Sequence, residues 1–150
     1  MRFRMIDRID AYQARSSICG AKTVSFEEYS LRTALGYEPS LPESLLLESI
    51  FQLGNWLIVL SSDFTQMGLV IRTGQVEFLE PVGPGQRVDI RLNVKHYRDD
   101  GISFDGEARV GDRLVVRGLS CLAAPAPLAD YCNPDDLRVL FSEIHRTGEG

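Results

Sequence analysis

The chain turns on residues 34–55: Ala34-Leu-Gly36-Tyr37-Glu38-Pro39-Ser-Leu-Pro42-Glu43-Ser44-Leu-Leu-Leu-Glu48-Ser-Ile-Phe-Gln52-Leu-Gly-Asn55. Pro39 and Pro42 close an extended segment. Pro42 suits the first turn of a helix because it has no N–H to leave unsatisfied there. The apolar run that follows predicts one helix ending near Leu60 or Ser62. Leu45, Leu46, Leu47, Ile50, Phe51, Leu53, Trp56, Leu57, Ile58, Val59 and Leu60 cover nearly its whole circumference. A helix apolar all round is a central buried one. Glu48 and Gln52 stand at i, i+4, with Asn55 close to the same face, so one polar stripe runs along the rod. An acid in such a helix is costly unless it is paired, neutralised or used. Glu48 is therefore the first residue to explain.

Working outward, residues 3–10 and 15–24 read as a first hairpin or pair of strands, and 26–35 as a loop or short helical turn. Beyond Met67 the chain becomes strand-rich, with segments 69–73 and 75–79. Over 87–95, Val88, Ile90, Leu92 and Val94 alternate with polar residues at the period of a half-buried strand. Asp99-Asp100-Gly101 marks a hairpin turn. Strands over 102–110 and 114–122 follow. The Ala/Pro-rich tail begins at Ala123 and carries a short helix over 135–145. The predicted fold class is α+β: a strongly curved antiparallel sheet of five to six strands wrapped around one long central helix. Residues 1–150 read as a single domain, with its core over about 3–123 and a tail over 124–150. One sheet edge and one helix flank stay uncovered in such a layer, and pairing of two copies would cover them, so a dimer is expected.

A chain of 150 residues fits one domain with a sizeable core. Its net charge of −5 argues against general affinity for nucleic acid. The N-terminal residues carry no long apolar segment, so no signal peptide is visible and a cytoplasmic location is expected. Cys19, Cys121 and Cys132 are far apart and odd in number, which fits reduced thiols and no metal site. The nearest approach to a membrane span, 45–60, reads as broken by Glu48, Gln52 and Asn55. No cofactor, metal, nucleic acid or membrane partner is expected.

Four local patterns in order resemble the hotdog fold and, within it, the (3R)-hydroxyacyl-ACP dehydratases of the FabZ type. Phe3-Arg-Met-Ile-Asp7-Arg8-Ile is similar to that family's opening "PFLLVDRV". Pro39, Pro42, Glu48 and Gln52 fall at the spacing of its "P-x-x-P-G-x-x-x-x-E-x-x-x-Q" helix entry. Val76-Glu-Phe-Leu-Glu-Pro81-Val-Gly-Pro84-Gly85 resembles its "KFRRPVxPGD" strand and turn. Ile102-Ser-Phe-Asp-Gly-Glu-Ala-Arg-Val-Gly-Asp-Arg-Leu-Val resembles its "WKFxGxAxVDGxLV" hairpin.

The resemblance implies a loop histidine fourteen residues before the helix glutamate. The imidazole takes the C2 proton of an acyl thioester, the carboxylate helps the 3-hydroxyl leave as water, and a helix-start N–H polarises the carbonyl. Here Glu48 keeps the carboxylate, but fourteen residues earlier stands Ala34, which is no base. The family's "G-H-F-P" loop is Thr33-Ala34-Leu35-Gly36, and its helix-start glycine is Glu43. Ala34, Gly36, Tyr37, Pro42, Glu43 and Gln52 are the implied substrate contacts. Positioned acid–base catalysis is worth about 10²–10⁴-fold, so dehydration by this chain alone is expected to be weak.

Glu48 thus reads either as a surviving catalytic acid or as a helix acid held by Gln52, Ser44 or a dimer partner. Glu43 and Ser44 also suit the helix dipole as plain first-turn residues, and Trp56 and Phe51 read as core or tunnel wall. Neither His96 nor His145 replaces the lost histidine, and Tyr37 is a poor base at neutral pH. Arg2, Arg4, Arg8, Arg72 and Arg87 would meet an acidic carrier or simply solvent. Three functions follow. The chain is a dehydratase-family protein acting on or holding an acyl-ACP or CoA thioester, as a homodimer, a heterodimer with a related hotdog subunit, or a higher oligomer. Alternatively it is a thioesterase using Glu48 as base or nucleophile, or a non-catalytic acyl-ACP-binding partner subunit.

Overall fold

The computed structural model describes residues 4–27 and 38–145. Chain order is β1 (Arg8–Gln13), β2 (Ser17–Thr23), α1 (Glu43–Ser61), β3 (Gln66–Arg72), β4 (Gln75–Phe78), β5 (Arg87–Tyr97), β6 (Ile102–Val110), β7 (Arg113–Pro127) and α2 (Pro134–Ile144). A 3-10 turn at Leu128–Asp130 joins β7 to α2. The expected α+β hotdog architecture is present: an antiparallel sheet in the order β1-β2-β5-β6-β7-β3 curls around α1, which touches β2, β3, β5, β6 and β7.

Among the described residues the sheet has seven strands, not five or six. At 15 residues, β7 is long enough to pair with β3 along one part and β4 along another. It also runs to Pro127, well into the Ala/Pro-rich tail. The break between β3 and β4 falls at Gly74, whose N–H meets the carbonyls of Leu119 and Ser120 at 3.2 and 3.1 Å. There β7 bulges. Ser120 has φ 52°, and its N–H is taken by Asp105 Oδ1 at 2.8 Å, where the β6–β7 register also slips.

Helix α1 begins one residue later than the Pro42 reading. Pro42 caps it from outside with φ −53° and ψ 137°, and its carbonyl accepts from Leu45 N at 2.9 Å. Leu46, Ile50, Leu53, Leu57 and Ile58 are buried in the main core. Contrary to the sequence reading, Glu43–Ser61 is long and apolar enough by itself to cross a membrane, with mean hydropathy 1.4. Its apolarity has a local cause, since the sheet covers the faces that a surface helix would show to water.

Glycines let the sheet come this close. A Cβ on Gly106 of β6 would collide with Ile50 Cγ2, and one on Gly68 of β3 with Ile58 Cδ1. We predict that Gly106→Val destabilises the fold by about 1–3 kcal/mol through overpacking, read as a lowered midpoint in urea unfolding.

Candidate active site

The polar stripe of α1 is built in layers. Gln52 Oε1 accepts from the N–H of Met5 at 2.8 Å, which turns the amide nitrogen the other way, to Glu48 Oε1 at 3.4 Å. Asn55 Oδ1 accepts from the N–H of Gly68 on β3 at 2.9 Å. Two of the three polar residues therefore hold backbone groups of the N-terminal segment and the β3 edge. Glu48 has no such backbone duty among the described residues. Its carboxylate is half-buried, lies at hydrogen-bond range from Gln52, and borders a cleft.

That cleft has a volume of about 730 Å³, within the size range of small-molecule sites. Ser44, Glu48, Gln52 and Asn55 form its polar floor along α1, with Arg4 and Ile6 beside them. Trp56, Val59, Met67 and Leu128 carry it on into apolar surroundings, and α2 supplies the opposite wall. A carboxylate oriented by an amide at one end, with aliphatic walls at the other, can donate or take a proton beside a bound apolar chain.

A second cleft of about 880 Å³ lies on the other side of the helix start. Pro42 and Glu43 line it, together with Glu38, Pro39 and Phe78, and Ser44 borders both clefts. The structure thus brings Glu48 and Gln52 together and sets Pro42 and Glu43 apart from them. Ala34, Gly36 and Tyr37 lie outside the described residues. Sequence reasoning passed over Met67 and the tail residues that wall the first cleft, and it read Arg4 as a contact to an acidic carrier or to solvent. The signal was there in Leu137, Leu140 and Ile144, which recur at helical spacing.

Of the arginines, Arg8 pairs with Asp10 and Arg87 with Asp89 on the sheet surface, while Arg4 reaches the Glu48 cleft. His96 is exposed on β5. Cys121 is no nucleophile. Burial, then the nearby Asp105 charge, push its thiol from 9.0 up to about 11, whereas reactive thiols have lowered pKa values.

Comparison with known proteins fits this arrangement. The FabA-like domain model matches residues 1–118, and the chain belongs to that family. A 3-hydroxyacyl-[acyl-carrier-protein] dehydratase FabZ of Sorangium cellulosum is 31% identical over 117 residues, covering 76% of each chain. Among solved structures, the fluoroacetyl-CoA thioesterase FlK superposes with a TM-score of 0.65 at 11% identity, covering 87% of this chain and 98% of that one. The E. coli PaaI protein superposes with a TM-score of 0.61 at 15% identity, covering 79% and 78%. These two share the hotdog fold with this chain.

Gln52→Leu strands the buried Met5 N–H and should cost about 1–3 kcal/mol, measured by chemical denaturation. A thiol reagent at pH 8 should modify the half-buried Cys19 and Cys132 but spare Cys121 until the protein unfolds. Because the folded state holds the Cys121 proton more tightly than the unfolded state, stability should fall as pH rises from about 9 to about 11.

Proposed function

We propose that this chain binds a 3-hydroxyacyl thioester, carried by acyl carrier protein or CoA, in the manner of the FabZ branch of its family. Glu48 is the acid, and dehydration is weak when the chain acts alone. The observation that carries this reading is the half-buried Glu48 carboxylate, in range of the Gln52 amide and bordering a cleft that turns apolar along α1. Membership of the FabA-like family and the FabZ-type spacing of Pro39, Pro42, Glu48 and Gln52 support it.

In dehydration a base takes the C2 proton, the C2–C3 double bond forms, and the 3-hydroxyl leaves as water after accepting a proton. Glu48 as the neutral acid supplies that proton. Ala34 stands where the resemblance places the base, so the C2 proton has no taker from that position. A related subunit bearing the histidine would supply it across a shared interface. Ser44 and Gln52 border the place where the hydroxyl would sit. Gln52 is positioned to fix the rotamer of Glu48 rather than to react.

Hydrolysis is the second reading. With the base of dehydration missing, an ionised Glu48 could take a proton from water attacking the thioester carbonyl, and the thiol would then leave.

The test is incubation with a 3-hydroxyacyl-ACP and a panel of acyl-CoAs, followed for enoyl product and for free thiol. Wild type is expected to give little enoyl product. Ala34→His should raise it by about 10²-fold or more, and adding Glu48→Gln should remove that gain. Thiol release that Glu48→Gln abolishes supports hydrolysis instead. Turnover of either kind that survives Glu48→Gln overturns the role of Glu48.

A further inference from the structure

The family match ends at residue 118, yet much of the cleft's apolar wall lies beyond it. Leu137, Leu140 and Ile144 of α2 face the cleft, as do Leu128 and Cys132. The helix is held at both ends by contacts that do not involve the cleft. At its start, Asn133 Oδ1 caps Asp135 N at 2.9 Å, and the Arg138 guanidinium lies 4.4 Å over the Phe64 ring while reaching the Asp63 carbonyl at 3.3 Å. At its end, His145 bridges to Ile9 of β1 and stacks on Phe141 at 4.7 Å, and Tyr12 meets both rings edge-on.

Phe141 packs into both hydrophobic clusters, while Leu137 joins the one around Val59, Phe64 and Leu128 and Ile144 joins the main core. Leu140 belongs to neither. It is half-buried and lines the cleft. An aliphatic side chain on a firmly seated helix, turned to a cleft without packing into a core cluster, leaves apolar surface for a ligand to cover.

We propose that α2 sets the acyl-chain length this protein accepts, with Leu140 as the selecting residue. This rests on the thioester reading of the Glu48 cleft. The occupant is a straight, saturated or 3-hydroxy acyl chain, its C3 at Glu48 and its tail running along α1 between Trp56 and Leu140. From Glu48 to Val59 the floor extends about 16 Å along the helix axis. There Val59, Met67 and Leu128 line the cleft and belong to one hydrophobic cluster. A branched or aromatic acyl group fits this long apolar lane less well. Specificity is thus set within one chain, by a segment that lies beyond the family-domain match.

The experiment titrates wild type, Leu140→Ala and Leu140→Trp by calorimetry with saturated acyl thioesters, from butanoyl to hexadecanoyl, presented on CoA and on an acyl carrier protein. Wild-type affinity should rise about fourfold per added methylene up to a best length and then fall. Leu140→Trp should move the best length to shorter chains, and Leu140→Ala to longer ones. Circular dichroism confirms that each variant is folded, which the absence of Leu140 from both clusters favours. Binding with an unmoved length profile, or a loss equal at every length, overturns this proposal and leaves the thioester reading standing. No binding to any thioester by the folded wild type overturns both.

Discussion

The close seating of α1 inside the curled sheet is the constraint on which the rest depends. Fully burying one aliphatic side chain stabilises the folded state by about 1.5–3 kcal/mol, and Leu46, Ile50, Leu53 and Leu57 are all at 1% exposure or less. The facing strands accept them because they present glycine where the helix comes nearest. Ile50 lies over Gly106, Ile58 over Gly68, and the methyl of Leu53 would be 3.2 Å from a Cβ at Gly20. From the helix side, Gly54 receives Leu92 in the same way. The helix and sheet therefore interlock, and the direction in which each helix residue points is fixed by its neighbours. Glu48 inherits its aim from that packing.

The polar stripe shows how one helix face can be structural and chemical together. Gln52 and Asn55 use their amide oxygens on backbone N–H groups of the N-terminal segment and of β3. Buried donors of this kind are costly to leave unmet. Once those two amides are committed, Glu48 is the member of the stripe whose oxygens face the cleft rather than the main chain. The acid sits where the protein must already be rigid, a favourable place for chemistry that depends on geometry.

Most of this architecture was legible in the sequence. The helix over 43–61 was marked by its two prolines and by an apolar run interrupted only by one polar stripe. The alternation of Val88, Ile90 and Leu92 predicted β5, whose burial follows that period. The pairing of Glu48 with Gln52 followed from i, i+4 spacing. What was not legible depended on long-range geometry. The split into two strands near residue 74 was read correctly, but that both pair with β7, on either side of a bulge at Ser120 far along the chain, was not. The role of the tail was hidden because α2 has no buried residue of its own. Its apolar side chains gain meaning only from what they face. Pro42 and Glu43 lie next to Ser44 in sequence yet open onto a different cleft from Glu48, a split that no linear spacing reveals.

The contact between Ile9 and His145 draws the last described turn of the polypeptide against its first strand. β1 and the end of α2 are therefore neighbours in space although most of the described residues lie between them. The contact closes a loop that spans most of the described residues, so its formation carries a large closure entropy and raises the contact order of the fold. Were this contact to open, the cleft would lose the wall that α2 supplies, and a bound apolar chain would lie in a trough open along one side.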